Sequence, residues 1–246
     1  KCRMLGEPKY LTDEQIALPR SRFTELPEMD HEQPTTREKD LRRQLELFVK
    51  RGYQQRLMIS TEGSFSARLD DDVFLITPYQ IDRSTVDIDD MVLIRNGRQE
   101  RGKKASRASH AHRTIYRKYP GIGAIVNAFT VNASAFSVVG KAVDSHTIPE
   151  SYVFLREVSL MPYGVNFGNG EQLVDFISMT QPSAICQNDG VLVTGATVLE
   201  AFDRLEVLES TAEALINTMP LGPVAPMPDS VINELRETFL SEKKQN

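Results

Sequence analysis

Residues 104–132, KASRASHAHRTIYRKYPGIGAIVNAFTVN, constrain this chain most, because the pattern switches from helix to strand across one tight turn. Ile115 and Tyr119 lie four residues apart on one face of a helix predicted over 106–119, with basic residues elsewhere on it. Pro120-Gly121 ends that helix, since proline cannot continue it and glycine accepts the turn. Residues 123–129 then read as a short interior strand, apolar except at Asn127.

Other elements follow from the same signals. A helix is predicted over 37–51, with Thr35 or Thr36 as cap, Glu38 in the first turn, Leu41, Leu45 and Phe48 at helical spacing, and Gly52 at its end. Strands are predicted over 56–60, 63–69 and 73–77, the last two joined by Asp70-Asp71-Asp72. A further strand, 91–94, is closed by Asn96-Gly97, a hairpin-type turn signal. Later come a helix over 133–139 stopped by Gly140, a strand over 158–161, a Pro/Gly-rich loop over 162–170 and a helix over 171–179. Strands 183–187 and 191–195 are joined by Asn188-Asp189-Gly190; a long helix over 198–217, capped by Thr197, precedes four prolines in 220–228 and a last helix over 230–240. This alternation predicts an α/β domain, a mixed sheet with helices on both faces, over 36–219. Residues 1–35, with four prolines and room for one helical turn at 12–16, read as a linker or an extended arm, either wrapped on a neighbouring subunit or mobile. Residues 220–246 form a proline-rich segment and a terminal helix.

Composition bounds the class. With 246 residues, 40% hydrophobic and 26% charged, the chain has the balance of a globular protein. A net charge of -5 gives no reason to expect nucleic-acid binding. No apolar run approaches the roughly 20 residues a membrane helix needs, and no signal-peptide pattern is present. The two cysteines, Cys2 and Cys186, fall in a tail and a strand, so no disulfide is expected and a reducing cytoplasm is the natural setting. Lys1 rather than methionine stands first, which fits a piece of a longer polypeptide with a partner enzyme domain upstream.

Several motifs carry a family resemblance: His112 and Tyr116 four apart, Tyr119-Pro120, Ala124-Ile125-Val126, Gly63-Ser64-Phe65-Ser66-Ala67-Arg68, Leu75-Ile76-Thr77-Pro78, Asn188-Asp189-Gly190-Val191-Leu192-Val193 with Gly195, and Glu200-Ala201-Phe202 with Glu209. In order and spacing, residues 37–218 resemble the class II aldolase/adducin family, which includes the fuculose- and rhamnulose-phosphate aldolases. The resemblance implies an α/β/α layered domain with a mixed, largely antiparallel central sheet, assembled as a homotetramer. In that family three histidines hold zinc, which polarises a ketose carbonyl and stabilises an enediolate, while a glutamate on the helix moves protons. Here the resemblance matches Asn127, Phe129 and Asp189 to the metal ligands and Ala108 to the glutamate. Phenylalanine cannot ligate, asparagine is a poor zinc ligand, one aspartate alone cannot hold the ion, and alanine is neither acid nor base. The family zinc is therefore expected to be absent and aldol cleavage with it.

His110 and His112 are poorly placed as a chelating pair, because residues two apart on a helix point in different directions. His112 is expected to pack at the helix–sheet junction and His110 to be solvated. The family's phosphate contacts match Gly63-Ser64, Tyr79-Gln80 and Ser106-Arg107; they read either as a retained anion pocket at a helix N-terminus, with Lys103 and Lys104 near, or as a solvated basic loop. Asp189 reads best as part of a hairpin turn. Glu62, Asp82 and Asp87 are acids by type that no spacing pairs. The expected function is a degenerate, non-catalytic domain, oligomerising, structural or sugar-phosphate-sensing. The alternative is a lyase or isomerase on a phosphorylated sugar, working through another residue set around Arg107 and His110.

Overall fold

A computed structural model describes residues 12–14, 25–167 and 170–240, so Cys2 and part of the helical turn expected at 12–16 lie outside the described residues. Among the described residues nine strands form one sheet: β1 (Glu28–Met29), β2 (Ser64–Asp70), β3 (Val73–Ile76), β4 (Val92–Arg95), β5 (Arg98–Glu100), β6 (Ala124–Ala128), β7 (Val158–Met161), β8 (Ser183–Cys186) and β9 (Gly190–Gly195), in the order β1-β5-β4-β3-β2-β6-β9-β8-β7. Pairing is antiparallel except between β1 and β5 and between β7 and β8. The helices are α1 (Thr36–Gln54), α2 (Ser109–Lys118), α3 (Ala133–Val139), α4 (Pro149–Leu155), α5 (Val198–Thr218) and α6 (Asp229–Leu235).

Both faces of the sheet are covered, which is why its central strands read as near-continuous apolar runs. Successive side chains alternate faces. Phe65, Leu75, Val126 and Val193 join Leu45 and Val49 of α1 and Phe202 and Leu205 of α5 in one core; Phe74, Ile76, Ile125 and Leu192 join Ile115 of α2 and Leu173 in the other. By the same alternation Ser64, Ser66, Asn127 and Phe129 lie on the α2 face.

Caps fall where their residue types predict. Thr35 Oγ1 accepts from Glu38 N at 3.2 Å and Thr197 Oγ1 accepts from Glu200 N at 3.1 Å. Thr197→Ala should destabilise the domain by about 1 kcal/mol, seen as a lower urea midpoint at unchanged slope. Asn96 and Gly97, at φ 52° and 74°, make the turn joining β4 to β5, and Gly140 closes α3 at φ 63°.

Other expectations need correction. Residues 56–60 form no strand, because Arg56 (φ 61°) and Ser60 (φ 48°) take left-handed conformations that turn the chain while Leu57 and Met58 bury. Helix α2 begins at Ser109 rather than 106. In place of a helix over 171–179, a five-residue 3-10 turn, Glu171–Asp175, packs Leu173 against the α2 face. Residues 236–240 continue α6 as a π-helical turn. Helix α4, with Pro149 in its first turn, was not anticipated, nor was β1, which lays the end of the expected arm along β5. Among the described residues no helix is long and apolar enough to cross a membrane.

Candidate functional site

A cavity of about 340 Å³ opens on the α2 face where β2 begins, β6 ends and the turn before β9 passes. The structure brings together in its wall every residue singled out at the matched metal, glutamate and phosphate positions: Gly63, Ser64, Tyr79, Gln80, Ser106, Arg107, Ala108, Asn127, Phe129 and Asp189. Sheet register does much of this. Ser64 pairs with Asn127 across β2 and β6, and the 188–190 turn delivers Asp189 beside them. That turn depends on Gly190, whose φ is 131° and where an added Cβ would stand 2.4 Å from the Ala128 carbonyl oxygen.

Two expectations about basic side chains change. His110 is half-buried and lines the cavity rather than standing in solvent. Lys103 turns away to Glu100 (2.8 Å) and the Met91 carbonyl (3.1 Å). Lys104 and Arg107 lie over the Tyr79 ring, at 4.8 and 5.8 Å from its centroid. Ser64 and Ser106 share a 2.5 Å hydrogen bond, and the Ala108 N–H donates to Ser106 Oγ at 3.3 Å. Asp82 and Asp87 do not enter the wall. Asp82 accepts from Ser84, and Asp87 caps the 3-10 turn Ile88–Asp90.

His112 packs at the helix–sheet junction, fully buried, within a chain of hydrogen bonds. Tyr116 Oη meets Ser66 Oγ at 2.8 Å, Ser66 Oγ meets His112 Nδ1 at 2.7 Å, and His112 Nε2 meets Asn127 Oδ1 at 2.7 Å. Counting hydrogens sets the direction. If Nδ1 carried the proton, Ser66 would donate to Tyr116 and the buried tyrosine O–H would lack an acceptor, at a cost of about 1–3 kcal/mol. With Tyr116 donating to Ser66 and Ser66 to Nδ1, the ring carries its hydrogen on Nε2 and donates to the Asn127 carbonyl oxygen. Burial lowers the ring's pKa to about 4, so it is neutral at physiological pH; the Asn127 bond acts in the other direction. Burial also pushes the Tyr116 hydroxyl up.

Arg83 and the segment 163–167 were missed by sequence reasoning. Arg83, 2% exposed, donates Nη1 to the carbonyls of Pro78 (3.1 Å) and Ile81 (3.0 Å) and Nη2 to that of Gly63 (2.7 Å). It thereby braces the two loops that bring Ser64 and Tyr79 to the cavity. Burial lowers its pKa to about 10 against the opposing pull of Glu62 and Asp82, although no carboxylate among the described residues comes within ion-pair distance of it. Nothing in 163–167 but residue type marked Tyr163, Asn166 and Phe167 as lining residues. The Asn166 side-chain N–H donates to Asp189 Oδ2. Burial raises the Asp189 pKa, and Glu62 adds to this, against the Asn166 bond and the Arg107 charge.

Residues 44–216 match the family model described as Class II Aldolase and Adducin N-terminal domain. The chain belongs to this family. It is 28% identical over 162 residues to the L-fuculose phosphate aldolase of Methanococcus vannielii, covering 65% of this chain and 87% of that one. It is 27% identical over 201 residues to the 3-oxo-tetronate 4-phosphate decarboxylase of Haemophilus influenzae, covering 78% and 95%. The solved structure of YgbL from Escherichia coli superposes with a TM-score of 0.71 at 24% identity, covering 81% of this chain and 99% of that one. The class II aldolase fold, with its mixed sheet between helices, is thereby shared.

The zinc that this family implies can be tested against the side chains present. Phe129 offers no donor atom, Asn127 Oδ1 is taken up by His112, and Asp189 is bonded by Asn166. Among the described residues no group of three His, Cys, Asp or Glu side chains is arranged to hold a metal. This donor set does not fit a zinc ion.

Proposed function

We propose that this class II aldolase-family domain binds a phosphorylated sugar or a kindred organic phosphate in the cavity without zinc-dependent aldol cleavage, and acts as an oligomerising, structural or sugar-phosphate-sensing module. The observation that carries this reading is the donor set: Asn127, Phe129 and Asp189 at the matched ligand positions and Ala108 at the matched glutamate position offer neither a metal site nor that acid/base. Anion binding is supported by the Ser64–Ser106 pair, by Arg107, and by the buried Arg83 charge beneath the same wall. Two relatives that catalyse different reactions, the aldolase and the decarboxylase above, are both named for phosphorylated substrates.

Incubation with excess zinc followed by desalting should leave near-zero zinc per subunit; about one zinc per subunit would sink the reading. Calorimetric titration with L-fuculose 1-phosphate should show binding that Arg107→Ala weakens roughly tenfold, the loss of about one charge-assisted hydrogen bond. Assembly as a homotetramer belongs to the same proposal and is checked by light scattering, and its place in the cytoplasm by cell fractionation. A second reading, a lyase or isomerase on a phosphorylated sugar, is favoured by one feature: the enclosed Asp189 carboxyl, its pKa raised by burial, shares the cavity with Arg107 and His110. Turnover of a fuculose or ribulose phosphate, abolished by Arg107→Ala, would establish it.

A further inference from the structure

We infer that Asn127 takes over recognition of a ligand oxygen from the absent metal site by presenting amide N–H donors, and that the cavity therefore accepts a phosphorylated sugar acid, with a carboxylate as well as a phosphate, independently of any metal. This rests on the anion-binding reading of the cavity and specifies its ligand.

The buried hydrogen-bond chain runs in one direction, from Tyr116 to Asn127. His112 donates Nε2–H to Asn127 Oδ1, and its ring is held in place by Ser66 and Tyr116. The Asn127 carbonyl oxygen is thus committed to the interior. Its Nδ2 donates to no protein acceptor among the described residues, although Asn127 is only half-buried and forms part of the cavity wall. Two N–H donors therefore remain for a ligand, at a position matched to a metal ligand. A metal can polarise a neutral carbonyl; an amide cannot to the same degree, and its donors bind best to an oxygen that already carries charge. The surrounding charges favour such an oxygen. Arg83 is a buried cation whose guanidinium bonds go to backbone carbonyls, with Glu62 and Asp82 acting on it from beyond ion-pair distance, and Arg107 lines the same cavity. Of the acids in the wall, Glu62 is exposed and Asp189 is engaged by the Asn166 side-chain N–H.

The test uses the whole chain, with 2-phosphoglycolate and inorganic phosphate as probes in calorimetric titrations with and without EDTA. The wild type should bind 2-phosphoglycolate at least tenfold more tightly than phosphate, and EDTA should leave both affinities unchanged. Asn127→Leu, which removes the donors without adding charge, should bring 2-phosphoglycolate down to the level of phosphate while phosphate binding stays put. Asn127→Asp keeps an oxygen for His112 and so guards against a merely misfolded variant; it should lose 2-phosphoglycolate at least thirtyfold. Nitrogen-15 spectra of the His112 ring should show Nε2 protonated and Nδ1 bare. Equal wild-type affinities for the two probes, loss of binding in EDTA, variants that lower both probes equally or neither, or the opposite tautomer would overturn the inference while leaving an anion site in place. If neither probe binds the wild type, the anion-binding reading itself falls, and this inference with it.

Discussion

Urea unfolding should show the domain losing about 3 kcal/mol of stability between pH 7.5 and pH 4 through the His112 ring alone. The ring titrates near 4 in the folded chain, mainly because burial disfavours its charged form, against 6.5 for an unperturbed histidine. Below pH 6.5 the unfolded chain therefore takes up a proton that the folded chain refuses. The unfolded state gains as pH falls, so the contribution present at neutral pH drains away between about 6.5 and 4. Asp189 opposes this: its folded pKa is raised, so the folded state binds a proton first as pH falls and is favoured toward acid. Comparison with His112→Gln separates the two. The variant removes the imidazole and keeps an amide able to donate to Asn127, so its stability should fall less steeply over the same interval. Parallel curves for both proteins would show that His112 does not carry the acid sensitivity.

Arg83→Met should lower the stability of the domain by about 3 kcal/mol or more, with an unchanged urea slope. The guanidinium satisfies three backbone carbonyls from two loops, and its removal strands those oxygens in the interior. Hydrogen bonds from a charged donor contribute about 1.5–3 kcal/mol each, and the three act as one unit, so the loss is less than their sum. Arg83→Lys should restore little, since a single ammonium cannot reproduce the fork that spans Gly63, Pro78 and Ile81. The same variants should weaken inorganic phosphate binding in the cavity, because the loops bearing Ser64 and Tyr79 lose their brace. A stable Arg83→Met variant with intact phosphate affinity would contradict both roles.

How legible these features were in the chain depends on the range of the interaction that creates them. Caps at Thr35 and Thr197, the Asn96-Gly97 turn and the Gly140 stop are local, and residue type predicts them well. Residues 56–60 misled, because the apolar Leu57 and Met58 look the same whether they bury from a strand or from a turn. The short 3-10 turn at Glu171–Asp175 misled in the same way, since periodicity cannot say how far a helix runs. The cavity wall was legible wherever family motifs marked it: Gly63-Ser64, Ser106-Arg107, Asn127, Phe129 and Asp189 converge. Arg83 was not, because its role exists only once Gly63, Pro78 and Ile81 meet in space. Asn166 was hidden for a similar reason, its partner Asp189 lying across the sheet end.

The hydrogen-bond chain from Tyr116 to Asn127 has its first and third members on α2 and its second and fourth on neighbouring strands of the sheet. Any excursion that lifts α2 off the sheet releases the Asn127 amide to rotate, and only re-docking restores its orientation. Ligand capture and helix docking are therefore two views of one local opening equilibrium. An occupant of the cavity would slow solvent exchange of the backbone amides along α2, including turns it never touches.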